Sequence, residues 1–162
     1  MSINYATAQD VYGLSNLFLE IINALPYYNG LAKQTEAKKY TPAELLKKLE
    51  EDAKSIIAVK EKEQIVAFCF SRFDDYTIWL EWFGVAPSSR GQKLSNILLQ
   101  KLEASAQERN CHKIWCDSRT ENQQSVNVLT RNGYEKVTLL RNHWYGQDFF
   151  LWQKFLVEEH RP

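Results

Sequence analysis

The stretch VAPSSRGQKLS, Val85 to Ser95, lies between the hydrophobic run YTIWLEWFG and the helical pattern NILLQKLEASAQERN. Where a strand runs into a helix, the first turn has unpaired N–H groups and the positive end of the helix dipole. Together these bind phosphate without dedicated side chains. Arg90 adds a planar cation suited to phosphate oxygens, and Gly91 lets the backbone come close. A pyrophosphate suits such a loop. The patterns GxxxxGK[ST] and GxGxxG are absent, so this is neither of those nucleotide loops. The plainer alternative is a turn made by Pro87, Ser88, Ser89 and Gly91. Two carboxylates on neighbouring strand-like runs could move protons. Alternation in TIWLEWFGV puts Glu81 on the face of Trp79, Phe83 and Val85, an apolar setting that raises a carboxylate pKa. Asp117 ends the run KIWCD.

The elements around these residues can be read from periodicity. A short strand near Ile3 to Ala6 precedes DVYGLSNLFLEIINAL, where Val11, Leu14, Phe18, Ile21, Ile22 and Leu25 recur at helical spacing. Pro26, Asn29 and Gly30 break that helix, and YYNGLAKQTEAKKY shows no clear apolar face. In TPAELLKKLEED, Thr41 as N-cap, Pro42 at the first helical position and Glu44 at the third start a second helix with a capping box. SIIAV, QIVAFCFSRF and TIWLEWFGV, separated by KEKE and DDYT, read as three antiparallel strands. Leu94, Leu98, Leu102 and Ala106, joined by Ile97, make the stripe of the next helix, which Asn110 can close in the left-handed conformation. Strand KIWCD follows, then a helix capped near Asn122 and stopped by Gly133. YEKVTLLRN and DFFLWQKFL close the chain as two strands around YGQ.

Composition limits the function classes. The 162 residues fit one domain over 1–162, and 44% hydrophobic with 13% aromatic residues excludes a disordered chain. Twenty basic and twenty acidic residues cancel, which argues against nucleic acid as partner and favours a small charged or polar ligand. No signal-peptide pattern and no apolar run of membrane-spanning length occur, so a cytoplasmic protein without membrane contact is expected. Cys69, Cys111 and Cys116 form no even disulfide framework and are expected to be reduced. CHKIWC is too sparse in ligands to imply a metal. An exposed edge in the last hairpin suggests a homodimer.

The sequence resembles the GNAT superfamily of acyl-CoA-dependent N-acyltransferases, whose members carry R/Q-x-x-G-x-G/A after their fourth strand. Here the loop is RGQKLS, with Lys93 at the family's glycine and Ser95 at its terminal Gly or Ala. GVAP is similar to the family's V-x-P, IWCDSRTEN to its fifth strand leading to an asparagine, and SVNVLTRNGY to its A-x-x-L-Y-x-x-x-G-F. The likeness in order of elements spans about Ile3 to Leu156, and the specific residues lie between Trp79 and Tyr134. It implies an α+β (mixed α/β) fold, a mostly antiparallel sheet of about seven strands flanked by about four helices. It further implies acetyl-CoA as co-substrate, its pyrophosphate on the amides of Arg90, Gly91, Gln92, Lys93, Leu94 and Ser95. The pantetheine arm would pair with Phe83, Gly84 and Val85, and Asn122 and Ser125 would also contact the cofactor. Lys93 strains the backbone if the family's glycine needs left-handed dihedrals, and costs little if only its N–H is needed. Its place at the opening of a helix favours the second.

An alkyl amine with pKa near 10.4 is free base in only about one molecule per thousand at neutral pH, so transfer to an amine gains from a general base. Glu81 is one candidate, with an ion pair to an Arg such as Arg72 as its other reading. Asp117 is a second, alternatively a salt-bridge acid, and His143 a third, alternatively structural. The family's usual proton donor is a tyrosine where this chain has Leu129. Tyr145 is the replacement to weigh against simple aromatic packing, and a thiolate leaving group with pKa near 8.5 needs little protonation. By analogy Tyr27, Tyr28, Trp144 and Tyr145 would line the acceptor pocket. The reading is an N-acetyltransferase for a primary amine of a small molecule or peptide. The alternatives are an acyl-CoA-binding module without turnover, or an unrelated α/β protein whose turn imitates the loop.

Overall fold

The computed structural model describes residues 1–157. The chain runs β1 (Ser2–Tyr5), α1 (Val11–Ala24), α2 (Gly30–Lys39), α3 (Pro42–Glu51), β2 (Ile56–Glu61), β3 (Gln64–Asp74) and β4 (Thr77–Val85). It continues with α4 (Leu94–Glu108), β5 (Lys113–Arg119), α5 (Gln123–Arg131), β6 (Glu135–Leu140) and β7 (Phe149–Phe155). Seven strands form one sheet in the order β1-β2-β3-β4-β5-β7-β6, antiparallel except for the β4–β5 pair. This is the mixed, mostly antiparallel sheet expected from the sequence.

Helices cover the two faces unequally. Leu94, Leu98, Leu99 and Leu102 of α4 and Leu129 of α5 pack with Ile57, Cys69, Ile78, Leu80 and Cys116 on one face. Leu14, Phe18 and Ile22 of α1 and Leu45 of α3 pack with Ile56, Ala58, Phe68 and Phe70 on the other. Of the expected stripe of α1, Val11, Leu14, Phe18, Ile21 and Ile22 are buried, and Leu25 is the half-buried C-cap. In α4 the further buried residue is Leu99, whereas Ile97 is 39% exposed, because at 100° per residue position 99 projects beside Ala106 and position 97 falls well outside the arc from Leu94 to Ala106.

The segment with no apolar face is nonetheless a helix. In α2 only Ala32 is buried, so a hydrophobic stripe had nothing to reveal. Its ends supply the signal: Asn29 Oδ1 accepts from the Ala32 N–H at 2.9 Å, and Lys38 and Lys39 stand at the negative end of the dipole. Thr41 caps α3 as expected, accepting from the Glu44 N–H at 3.3 Å. Asn110 adopts φ 58 after α4, and Gly133 φ 83 after α5. All three cysteines are free and buried.

One departure from alternation shapes the sheet. In the β3–β4 ladder Phe70 pairs with Trp82 and Ser71 with Leu80, so Glu81 is the extra residue of a β-bulge. The two sides of the bulge are therefore out of phase. Ile78 and Leu80 face α4 before it, and Phe83 and Val85 face α4 after it. Glu81 points to the opposite face, towards α3, and Trp82 lies there as well against Phe18 and Tyr28. The expectation that Glu81 shares a face with Phe83 and Val85 is thus corrected.

After the bulge Gly84 lies beneath α1, where a Cβ would meet Ile21 Cδ1 at 2.8 Å and the buried Phe68 ring at 2.9 Å. Gly84→Ala should therefore lower stability by roughly 1–3 kcal/mol, read in urea denaturation as a lower midpoint with an unchanged slope.

Candidate active-site cleft

β4 and β5 pair only from Thr77–Trp79 to Lys113–Trp115. Beyond that, β4 stays with β3 as far as Val85 and β5 stays with β7 as far as Arg119. The sheet opens between them, and a bulge at the parting point bends its strand in the way this requires. The resulting cleft has a volume of about 1170 Å³.

At one end of the cleft stands the loop between β4 and α4. A 3-10 turn at Pro87–Ser89 is followed by Gly91 at φ 84 and Lys93 at φ 59, ψ 28. Lys93 is the N-cap of α4 and is left-handed, which corrects the expectation that its position needs only an N–H. A side chain in that region costs on the order of 1–2 kcal/mol. The Arg90 N–H approaches the Pro87 carbonyl at 3.5 Å, and the Ile97 N–H is the first of the helix to bond back, to Lys93 at 3.3 Å. Among the described residues no protein acceptor takes the amides of Gly91 to Asn96. Arg90 and Lys93 are exposed beside them.

Of the residues singled out for a cofactor, Phe83, Gly84, Val85, Arg90, Gly91, Lys93, Leu94, Ser95, Asn122 and Ser125 line the cleft, and Gln92 does not. Asn96, which follows them on the first turn of α4, does. Asn122 has a local task too, its Oδ1 capping α5 through the Ser125 N–H at 3.1 Å. Leu129, at the tyrosine position of the resemblance, is buried in the core.

The proposed acid–base groups all reach the cleft but differ in company. Glu81 accepts from Lys48 Nζ at 2.6 Å and from the Tyr40 hydroxyl at 2.7 Å, so both of its oxygens are engaged. Its cation is Lys48; Arg72 lies instead 3.9 Å from Asp74. Asp117 receives one hydrogen bond, from the Trp144 indole N–H at 2.7 Å. Burial pushes the Asp117 carboxyl up to about 6, with Glu36 adding to the rise and the Trp144 bond, His143 and Lys39 opposing it. The Tyr145 hydroxyl donates to Glu36 at 2.7 Å and takes a weaker bond from Lys39 at 3.4 Å. Burial and then the Glu36 bond hold that phenol well above its usual range. His143 is exposed, its ring 4.4 Å from that of Trp144.

The loop WYGQD between β6 and β7 also ties the cleft together. Asn29, at the start of α2, donates from its side chain to the Tyr145 carbonyl at 3.1 Å and from its backbone to Gln147 Oε1 at 3.3 Å. Gln147 Nε2 donates to the Tyr27 carbonyl at 2.9 Å. Arg119, buried at the end of β5, donates to the same Tyr27 carbonyl at 3.2 Å, to the Asp148 carbonyl and to Glu121 at 3.3 Å. Sequence reasoning passed over Arg119, Gln147 and Glu36. Their only signal was a charged or polar residue at an element end, common to many surface positions.

Two stability changes follow from this geometry. Lys93→Gly relieves the left-handed strain against a smaller gain in unfolded-chain entropy, so chemical denaturation should show a net gain of about 1 kcal/mol. For Asp117 the folded value near 6 lies above the ordinary 3.8, so the folded protein binds the extra proton between these values and loses stability as pH rises through them. Asp117→Asn should therefore stabilise the protein at pH 7 and above, on the order of 1–2 kcal/mol after allowing for partial exposure. The gain should vanish below about pH 4 in thermal melts across pH.

Known proteins share this architecture. An N-acetyltransferase from Staphylococcus aureus Mu50 superposes with a TM-score of 0.80 at 17% identity, over 96% of this chain and 98% of that one. The PaiA N-acetyltransferase from Thermoplasma acidophilum, solved with coenzyme A, gives 0.79 at 15% identity, over 95% and 98%. YncA from Salmonella typhimurium, a putative acetyltransferase solved with acetyl-CoA, gives 0.76 at 16% identity, over 99% and 96%. These identities establish the fold alone. The sequence itself matches the model of the acetyltransferase (GNAT) family over residues 19–134, well over half its length, and the chain belongs to that family.

Proposed function

We propose that this chain is an N-acetyltransferase that moves the acetyl group of acetyl-CoA to a primary amine of a small molecule or peptide by direct attack. The observation that carries the reading is the cleft between β4 and β5, with unpartnered amides at one end and the half-buried Asp117 at the other. Amides of Gly91 to Ser95 with Arg90 and Lys93 make a donor set that fits a pyrophosphate. The strand edge at Phe83, Gly84 and Val85, free on its β5 side, fits the amides of a pantetheine arm. Asn122 and Ser125 face the same cleft from the start of α5. The coenzyme complexes of the two fold relatives support the assignment.

Acetyl-CoA, when bound, supplies a thioester whose thiolate can leave. The amine lone pair attacks the carbonyl carbon, the C–N bond forms, the C–S bond breaks, and the proton of the amine must go to the protein. Asp117 is the base in this reading. With a pKa near 6 it is ionised at neutral pH yet basic enough to take that proton. Glu81 is less suited, because Lys48 and Tyr40 occupy both of its oxygens. Tyr145, the candidate in place of the tyrosine that Leu129 replaces, is less suited too, because its hydroxyl donates to Glu36 at 2.7 Å, and the sulfur leaves as a thiolate. The rival reading, an acyl-CoA-binding module without turnover, draws on that same Leu129.

Thermal shift and thiol release with an amine panel test the assignment. Coenzyme A at 100 times its dissociation constant should stabilise the protein by about 2.7 kcal/mol, and Arg90→Ala should weaken its binding about tenfold through loss of a charge-assisted bond. In the wild type, kcat/KM should fall as pH drops below about 6. Asp117→Asn should lose that limb and at least a hundredfold in rate at pH 7. Stabilisation by coenzyme A without thiol release from any amine would favour the binding module. No stabilisation at all would end both readings.

A further inference from the structure

The cleft wall on the face of Glu81 and Asp117 is more aromatic than acid–base chemistry requires. Trp79 and Trp115 meet edge to face with centroids 4.8 Å apart, at the last paired step of β4 and β5. Trp115 precedes Asp117 by two positions on one strand face, so ring and carboxylate are about 6.5–7 Å apart along the strand. Leu151, the β7 partner of Asp117, continues this wall, and Tyr28 and Trp144 flank it.

The polar tips of four of the surrounding rings are already used. Trp115 donates its N–H to Thr77 at 3.2 Å and Trp144 to Asp117 at 2.7 Å. The Tyr40 and Tyr145 hydroxyls donate to Glu81 and Glu36, each at 2.7 Å. What these rings offer a ligand is apolar surface. The charges of the wall are similarly matched: Glu81 with Lys48 at 2.6 Å, Glu36 with Lys39 at 3.3 Å and Asp74 with Arg72 at 3.9 Å. Of the carboxylates lining the cleft, Asp117 alone has no ion pair among the described residues.

We infer that the acceptor is an arylalkylamine, a primary amine a short methylene spacer from an aromatic ring, with no carboxylate and few hydroxyls. The inference rests on the acetyl-transfer reading above. The ring would pack on Trp79 and Trp115 while the amine reaches Asp117, and the spacing along β5 matches such a spacer. Before it loses a proton, the ammonium is attracted by the unpaired carboxylate and by the ring faces. An amino acid would bring its own carboxylate to Asp117 and Glu36 with Lys39 already paired. A polyhydroxylated amine would lose its water at a largely aromatic wall.

The test compares kcat/KM, at fixed acetyl-CoA, for phenethylamine, tryptamine, spermidine, glutamate and an alanine-led peptide. The two aryl amines should exceed the others at least tenfold. A polyamine, amino acid or peptide that equals them overturns the inference. Trp79→Leu should raise KM for tryptamine about tenfold and leave KM for acetyl-CoA unchanged, and equal KM for tryptamine in both proteins counts against it. Calorimetric titration with and without coenzyme A gives a readout that needs no turnover: phenethylamine should bind and 3-phenylpropionate should not. If coenzyme A binds and phenethylamine does not, the inference falls and the transferase reading stands. If phenethylamine binds and coenzyme A does not, the aryl-amine site stands and the transferase reading falls.

Discussion

Everything in this fold that could serve chemistry follows from the brevity of one parallel pairing. β4 and β5 share three paired positions and then separate, each held on its other side by an antiparallel partner. An unpaired strand edge inside a protein is costly unless water or a ligand satisfies it. Here two such edges face each other across a cleft, and the surrounding elements keep the gap from closing. α1 holds β4 through the close approach at Gly84, and Arg119 anchors the far end of β5 to the carbonyls of Tyr27 and Asp148. The bulge at Glu81 belongs to the same device. It bends β4 and turns a carboxylate and an indole towards the α1–α3 side, where strict alternation would have turned only one of them.

How much of this the sequence disclosed depends on the kind of signal each feature leaves. Helices α1 and α4 and the central strands were legible because each buries a face and so writes its period or an apolar run into the chain, whereas α5, with only Leu129 buried, and the exposed β6 were legible from the caps and turns around them. Asn110, Gly133 and Asn122 were legible because caps require particular residue types. α2 left no period, since it rests on Asn29 and on polar contacts to the WYGQD loop rather than on a stripe. The facing of Glu81 was misread for a related reason. A bulge changes the phase of a strand without changing its composition, and TIWLEWFGV looks the same with or without it. Only the ladder with β3 discloses the shift. In the loop, Arg90 and Gly91 were readable by type, but the conformation of Lys93 was not, because lysine does not advertise a left-handed backbone as glycine does.

Two of the carboxylates lining the cleft, Glu81 and Asp117, separate by environment rather than by sequence. Glu81 and Asp117 both sit on strands beside tryptophans, and by residue type either could hold a proton. Glu81 has an ammonium and a phenol within 2.7 Å, which hold both of its oxygens in place. Asp117 has one neutral donor, and its burial is opposed only at a distance by His143 and Lys39. A site that divides its carboxylates in this way keeps one as a fixed support and one able to change protonation. The ionised form of the second is held at a cost to the fold. Such a cost persists only where surrounding contacts outweigh it, and three loops bonded around Tyr27 provide those contacts.

Backbone strain has the same distribution. Among the described residues, eight other than glycine take positive φ. Lys62 with Glu63, and Asp75 with Tyr76, are the two-residue turns of the β2–β3 and β3–β4 hairpins, which require that conformation at both positions. Asn110 ends α4. Ordinary turn and cap geometry thus accounts for five of the eight. Asn142 stands next to His143, while Lys93 and Tyr145 line the cleft themselves. Tyr145 is the costly member, an aromatic residue at φ 60 in the interior of a turn. Its carbonyl accepts from Asn29 and its hydroxyl reaches Glu36, so both ends of the residue are held by α2 and its cap. The helix with no hydrophobic stripe of its own is therefore what keeps the strained loop over the cleft. Its polar sequence suits that task, because the partners it must hold are a carbonyl, an amide and a hydroxyl.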